Sequence, residues 1–171
     1  TGNVDTMLGS LKSKQVDILV SSLSLLNEAQ QQGWGELLFD GTDEAIWNKH
    51  IGGKVPVTAH FTLQATIDKD PAKMQAFVTA LWRASQWIKT HKPTEIYDAI
   101  EPYVGSTSRE ANLLEITAIQ KVADYEGSID AASFARGEKV WFREMTGIKP
   151  LKIADVVNSN LIDAARKAYP G

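Results

Sequence analysis

Apolar and polar residues change period several times along this chain, and each change predicts an element. Met7, Leu8 and Leu11 fall at helical spacing close to the start. Val16, Ile18, Leu19 and Val20 then form a short apolar run broken only by Asp17, the pattern of a strand covered on both faces. The run closes on Ser21, Ser22 and Ser24, just ahead of Leu25, Leu26 and Ala29, so a serine stands where the N-cap of the next helix is expected. Hydroxyls and free backbone N–H groups converge at such a corner, which suits an oxyanion or a polar head group. Capping alone is the plainer role for the same serines.

Further along, Gly33-Trp34-Gly35 is a turn after a helix and lacks the third glycine of a dinucleotide fingerprint. Leu37, Leu38 and Phe39 predict a short strand ending in the turn pair Asp40-Gly41, and Ile46 with Trp47 a local apolar anchor. After Gly52-Gly53, Val55, Val57, Ala59, Phe61 and Leu63 alternate with polar residues, predicting a strand with one buried face and Thr58, His60 and Thr62 on the other. Asp70-Pro71 opens a long amphipathic helix. Met74, Phe77, Val78, Leu81, Ser85 and Ile88 are expected to face inward, while Lys73, Gln75, Thr79, Arg83, Gln86 and Lys89 face away. Lys92-Pro93 ends it, and a shorter helix is expected over Glu95 to Tyr103. Thr107 and Glu110 form a capping box for a helix reaching about Tyr125. Asp130 to Met145 predicts another helix stopped by Gly147, with Gly137 weakening it by about 1 kcal/mol. Short helical runs at Ile153–Val157 and Leu161–Ala168 complete the chain.

The order helix, small turn, Lys14-Gln15-Val16-Asp17, apolar strand, polar corner and helix ending in Gly33 resembles the pattern of the nitrate, sulfonate, taurine and thiamine-precursor solute-binding proteins of ABC importers. That family usually has Gly where Lys14 stands and a Glu-Pro or Asp-Pro pair where Leu23 and Ser24 stand. Asp68 to Ile100 resembles the same family's long helix, with its Asp-Pro start, a Trp near the end and a second short helix. The resemblance implies an α/β, helix-rich chain forming the C-terminal portion of a two-lobed periplasmic-binding-protein (type II) fold. Residues 1–24 would be the remnant of the second lobe ending in a hinge strand, 25–63 the crossover helix and strands returning between lobes, and 64–171 the helical C-terminal part of the first lobe. It also implies a small-molecule solute, delivery to a membrane permease, and a periplasmic or extracellular location, lipid-anchored or secreted.

Composition narrows the alternatives. With 171 residues, 43% of them hydrophobic, the chain suffices for one ordinary core or one lobe of something larger. The net charge is −3, and no basic patch alternates with aromatics, so nucleic acid is not an expected partner. No apolar run approaches the roughly 20 residues of a membrane span. Cysteine is absent, which removes disulfides and thiolate chemistry. Thr1-Gly2-Asn3-Val4-Asp5 has no signal-peptide pattern. A lone buried-type strand at 16–20 needs neighbours on both edges, and few other strands are on offer, so a piece of a longer protein is expected.

Catalytic patterns are few. His50, His60 and His91 stand far apart in no metal-binding spacing, and the carboxylate pairs Asp43-Glu44 and Asp68/Asp70 sit at turns and helix starts. No nucleophile elbow or phosphate loop occurs, and no cofactor or metal is expected. The resemblance, with no catalytic motif beside it, implies a non-enzymatic solute-binding component. Ser21, Ser22 and Ser24 are the ligand-binding candidates, with Thr58 and His60 as further ones on the returning strand. The alternatives are an enzyme of the same fold, like the thiamine-pyrimidine synthases, and a non-catalytic ligand-sensing or interaction domain.

Overall fold

A computed structural model describes residues 4–21, 23–104 and 108–170. Ten α-helices form among them: α1 Val4–Lys12, α2 Leu23–Gln31, α3 Glu44–Ile51, α4 Gln64–Lys69, α5 Pro71–Thr90, α6 Pro93–Ile100, α7 Arg109–Val122, α8 Ala131–Trp141, α9 Ile153–Val156 and α10 Asn160–Ala168. A 3-10 turn at Glu101–Tyr103 extends α6. The chain is helix-rich, as its periodicity predicts.

The expected strands differ. Among the described residues no sheet ladder forms, and the runs at 16–20, 37–39 and 55–63 are irregular chain. A strand gains its stability by pairing N–H and C=O groups with a neighbouring edge, and none of these three runs pairs with another here. Their apolar residues are correspondingly open. Val20 is 89% exposed, Val57 69% and Phe61 96%, so the buried face expected of residues 55–63 is not buried.

Two compact units result. The first comprises Thr1–Thr42 with His91–Ala123, and the second Asp43–Thr90 with Asp124–Gly171.

In the first unit, α7 packs on α6 and α2, and α1 on α2. Leu8, Ala29, Ile96, Tyr97 and Ile116 are its buried apolar residues. Ala29 matters sterically, because a Cβ on Gly35 would come within 2.9 Å of its own Cβ. The loop backbone reaches α2 only because residue 35 has no side chain. The start of α6 is fixed by the Glu95 carboxylate, which accepts from the Lys92 N–H at 2.8 Å. Thr107, half of the predicted capping box, lies outside the described residues. The cap seen is Ser108, whose Oγ accepts from the Ala111 N–H at 3.2 Å. Tyr97, buried on α6, has its phenol pKa pushed up by burial and by the neighbouring Glu101 carboxylate, while the Arg109 guanidinium lies over its ring at 5.0 Å.

In the second unit, α5 packs along α10. Asp70 Oδ1 accepts from the Lys73 N–H at 3.0 Å and Pro71 takes the first helical position, so the helix starts where the sequence places it. The face it buries is broader than the expected one: Met74, Val78, Leu81, Ser85 and Ile88 are half-buried as the spacing predicts, and Gln75, Thr79 and Gln86 are half-buried beside them. Trp82 is buried, and the stripe running through Gln75, Thr79, Trp82 and Gln86 is the side that carries the tertiary hydrogen bonds. Gln75 Nε2 donates to the Leu161 carbonyl at 2.9 Å, Trp82 Nε1 to the Tyr169 carbonyl at 2.8 Å, and Gln86 Nε2 to the Tyr125 carbonyl at 2.9 Å. The Tyr169 carbonyl follows the last turn of α10 and the Tyr125 carbonyl stands in a turn, both outside the helical ladder, whereas the Leu161 carbonyl lies in the first turn of α10 and takes Gln75 as a tertiary donor. The predicted inward stripe is only half covered, with Phe77 48% exposed.

Candidate functional site

The corner that joins α1 to α2 begins with a helix stop. The N–H of Lys14 donates to the Leu11 carbonyl at 3.0 Å and that of Gln15 to the Ser10 carbonyl at 2.9 Å. Lys14 has φ +58°, the only non-glycine with positive φ among the described residues. These bonds and this torsion make a Schellman stop with Lys14 at the left-handed position, where glycine is the usual residue. Lys12 Nζ and Trp34 Nε1 both donate to Gln32 Oε1, at 3.3 and 3.0 Å, tying the end of α1 to the turn after α2.

From Val16 the chain runs to Ser21, which is exposed, and α2 begins at Leu23. Ser22, immediately before that helix, lies outside the described residues. Ser24 is the second residue of α2, and its side chain is likewise outside the description. Of the predicted order, the helix stop and the following helix are present in the first unit, while the strand expected at 16–20 is irregular chain.

Thr58 and His60 belong to the second unit. The segment that bears them is clasped at its start by three side chains. Trp47 Nε1 donates to the Gly53 carbonyl at 2.9 Å, Arg136 Nη1 to the Lys54 carbonyl, and Trp141 Nε1 to the Pro56 carbonyl at 3.0 Å. The approach of the segment to α8 depends on Gly137, where a Cβ would stand 3.0 Å from Pro56 Cδ. Beyond the clasp, Thr58 and His60 are exposed. The His60 ring stands edge-on to Phe77, centroids 6.0 Å apart and planes at 90°. Thr58 and His60 thus share one exposed stretch, and His60 meets an aromatic ring of α5.

Sequence reasoning missed Arg136 and Trp141 as the holders of this segment. The available signal was Gly137 itself, because a glycine inside a helical pattern often marks a close backbone approach. Asp130 starts α8: Oδ1 accepts from the N–H groups of Ala132 and Ser133, both at 2.9 Å, and Oδ2 accepts from the Ser133 hydroxyl. The Ser133 hydroxyl and N–H bonds hold the Asp130 pKa below its ordinary 3.8.

Two concavities are open grooves. One follows α5 and α10 past Ala72, Gln75, Ala76 and Tyr169, and the other lies on α7 around Arg109, Leu113 and Thr117. Among the described residues no cluster of three or more histidine or carboxylate side chains is disposed to hold a metal. No described helix is long and apolar enough to cross a membrane. Comparison with known proteins finds no match, whether to family models, to curated sequences or to solved structures.

Proposed function

We propose that this chain is the C-terminal portion of a solute-binding component of an ABC importer, with the two-lobed α/β fold of the nitrate, sulfonate, taurine and thiamine-precursor binding proteins. In that role it captures a small polar or anionic molecule between lobes and hands it to a membrane permease. The observation that carries the reading is Lys14. It adopts the left-handed conformation at the position where this family usually has glycine, between a helix stop and the run that leads to α2. The Asp70-Pro71 start of α5 and the short α6 after Lys92-Pro93 agree with the second resembling segment. Open, alternating apolar residues at 55–63 are what a strand presents before its neighbours are in place.

Ligand capture would be a hinge closure, with affinity set by contacts made only in the closed state. Ser21, Ser22 and Ser24 are the hydroxyls proposed to meet the solute, and Thr58 and His60 are separate ligand-binding candidates. The test is a thermal-shift screen on the longest natural polypeptide carrying this sequence, against alkanesulfonates, nitrate, bicarbonate, aromatic acids and pyrimidines. A solute at a hundred times its Kd stabilises by about 2.7 kcal/mol. Ser22→Ala should then weaken binding by about 1 kcal/mol, or roughly fivefold. Unchanged affinity with a lowered melting temperature would reduce Ser22 to a helix cap. Turnover of the solute in place of reversible stabilisation would favour an enzyme of the same fold, and no response to any solute would sink the reading.

A further inference from the structure

The carboxyl end of α8 and the chain that follows it differ in character from the rest of the protein. Between Lys139 and Lys152 there are four cations, Lys139, Arg143, Lys149 and Lys152, against the single carboxylate of Glu144, in a chain whose net charge is −3. All five are exposed, as is every residue from 143 to 152. Set among them are four large apolar side chains that are also open: Trp141 is 49% exposed, Met145 55%, Ile148 41% and Leu151 45%. Exposed apolar residues scattered singly are ordinary, but four within eleven positions, interleaved with cations, set this stretch apart.

This stretch is also folded. Met145 N–H donates to the Phe142 carbonyl at 3.0 Å, Gly147 turns the chain with φ +81°, and the Leu151 N–H returns to Glu138 Oε1 at 2.9 Å. Glu138 thereby holds the far end of the loop against α8. The Arg143–Glu144 pair, at 3.3 Å with both side chains more than four-fifths exposed, is screened by solvent and constrains little. Trp141 is anchored through its indole N–H to Pro56, which fixes the near end.

We infer that the surface formed by the end of α8 and residues 142–152 is a contact site for a membrane carrying anionic lipid headgroups. Charge complementarity argues for that occupant, because cations beside such a surface are attracted within a Debye length while Met, Ile, Leu and Trp enter the headgroup boundary. A nucleic acid would use the cations and leave the apolar residues in water. The inference is independent of the solute reading, since lipid binding is measured with no solute present.

The experiment is flotation of the 171-residue chain with phosphatidylcholine vesicles and with vesicles containing about 30% phosphatidylglycerol, at low and near-physiological salt. Association with the anionic vesicles alone, weakened by salt, is expected. Replacing Arg143, Lys149 and Lys152 together by Glu should reduce it at least tenfold, since each cation near such a surface contributes about fivefold. Met145→Ser with Ile148→Ser should reduce it at both salt concentrations. These positions are exposed, so unchanged circular dichroism is expected of both variants and serves as the control for folding. Equal association with neutral vesicles, or undiminished binding by the charge-reversed variant, would overturn the inference. Retention on an immobilised acidic polypeptide or on RNA with no vesicle binding would overturn it in favour of those partners.

Discussion

At the scale of single residues, the backbone torsion of Lys14 offers a direct test. A left-handed conformation costs an L-residue about 1 kcal/mol or more, offset partly by the entropy that glycine loses on folding. Lys14→Gly is therefore expected to leave stability unchanged or raise it by up to about 1 kcal/mol, and Lys14→Val to lower it by a similar amount. Urea midpoints of the three proteins decide it; a destabilising Lys14→Gly would mean that the turn is not left-handed. Asp130 gives a pH-dependent test. Its carboxylate pKa lies below 3.8 in the folded chain, so the stability it contributes is present above that pH and lost as pH falls through the lower folded value. Asp130→Asn keeps a capping oxygen and removes the charge. The stability gap between wild type and this variant should shrink between about pH 6 and about pH 3, and a gap independent of pH would exclude the linkage. Both residues were legible only in part. Asp130 announces a helix start by its type and position, whereas nothing in the letter Lys predicts a positive φ. That torsion is imposed by the stop bonds to Ser10 and Leu11.

At the scale of elements, the helices were readable because apolar spacing and caps are local. The start of α5 at Pro71, the stop before Pro93 and the positions of α9 and α10 all follow from neighbours within a few residues. How far round α5 the covered face extends was not readable, although Met74, Val78, Leu81, Ser85 and Ile88 lie on it as expected. Periodicity gives the apolar stripe, but the packing is decided by distant carbonyls of Leu161, Tyr169 and Tyr125, which recruit Gln75, Trp82 and Gln86. Trp82→Phe keeps most of the buried ring and removes the donor to Tyr169. It should cost about 1–2 kcal/mol and loosen the end of α10, read as faster amide exchange near Tyr169. Exchange unchanged at that end would mean the indole bond does not fasten it. The clasp on residues 53–56 was hidden for the same reason, since Arg136 and Trp141 lie about 80 positions away in the chain. Strand-like alternation at 16–20 and 55–63 was legible as pattern, yet pairing belongs to two edges at once and one chain segment cannot announce its partner.

At the scale of the molecule, the open apolar positions make a further prediction. With Val20, Phe61 and Leu63 largely exposed, the folded chain should bind a hydrophobic dye such as ANS while retaining helical circular dichroism. Dye fluorescence no greater than that of an ordinary monomer of this size would show that these segments are covered in solution. The candidate site was legible as a list of residues and not as an arrangement. Ser21 and Ser24 fall in one compact unit and Thr58 and His60 in the other, because the chain crosses between units after Thr42, Thr90 and Ala123. The indole tethers carry a spectroscopic consequence. Of the five tryptophans only Trp34 lies in the first unit, while Trp47, Trp82, Trp87 and Trp141 lie in the second. Intrinsic emission is thus a lopsided optical probe. A Trp34→Phe protein would report the second unit alone, and its wavelength would register the release of the three carbonyls at Gly53, Pro56 and Tyr169 as they exchange an indole for water.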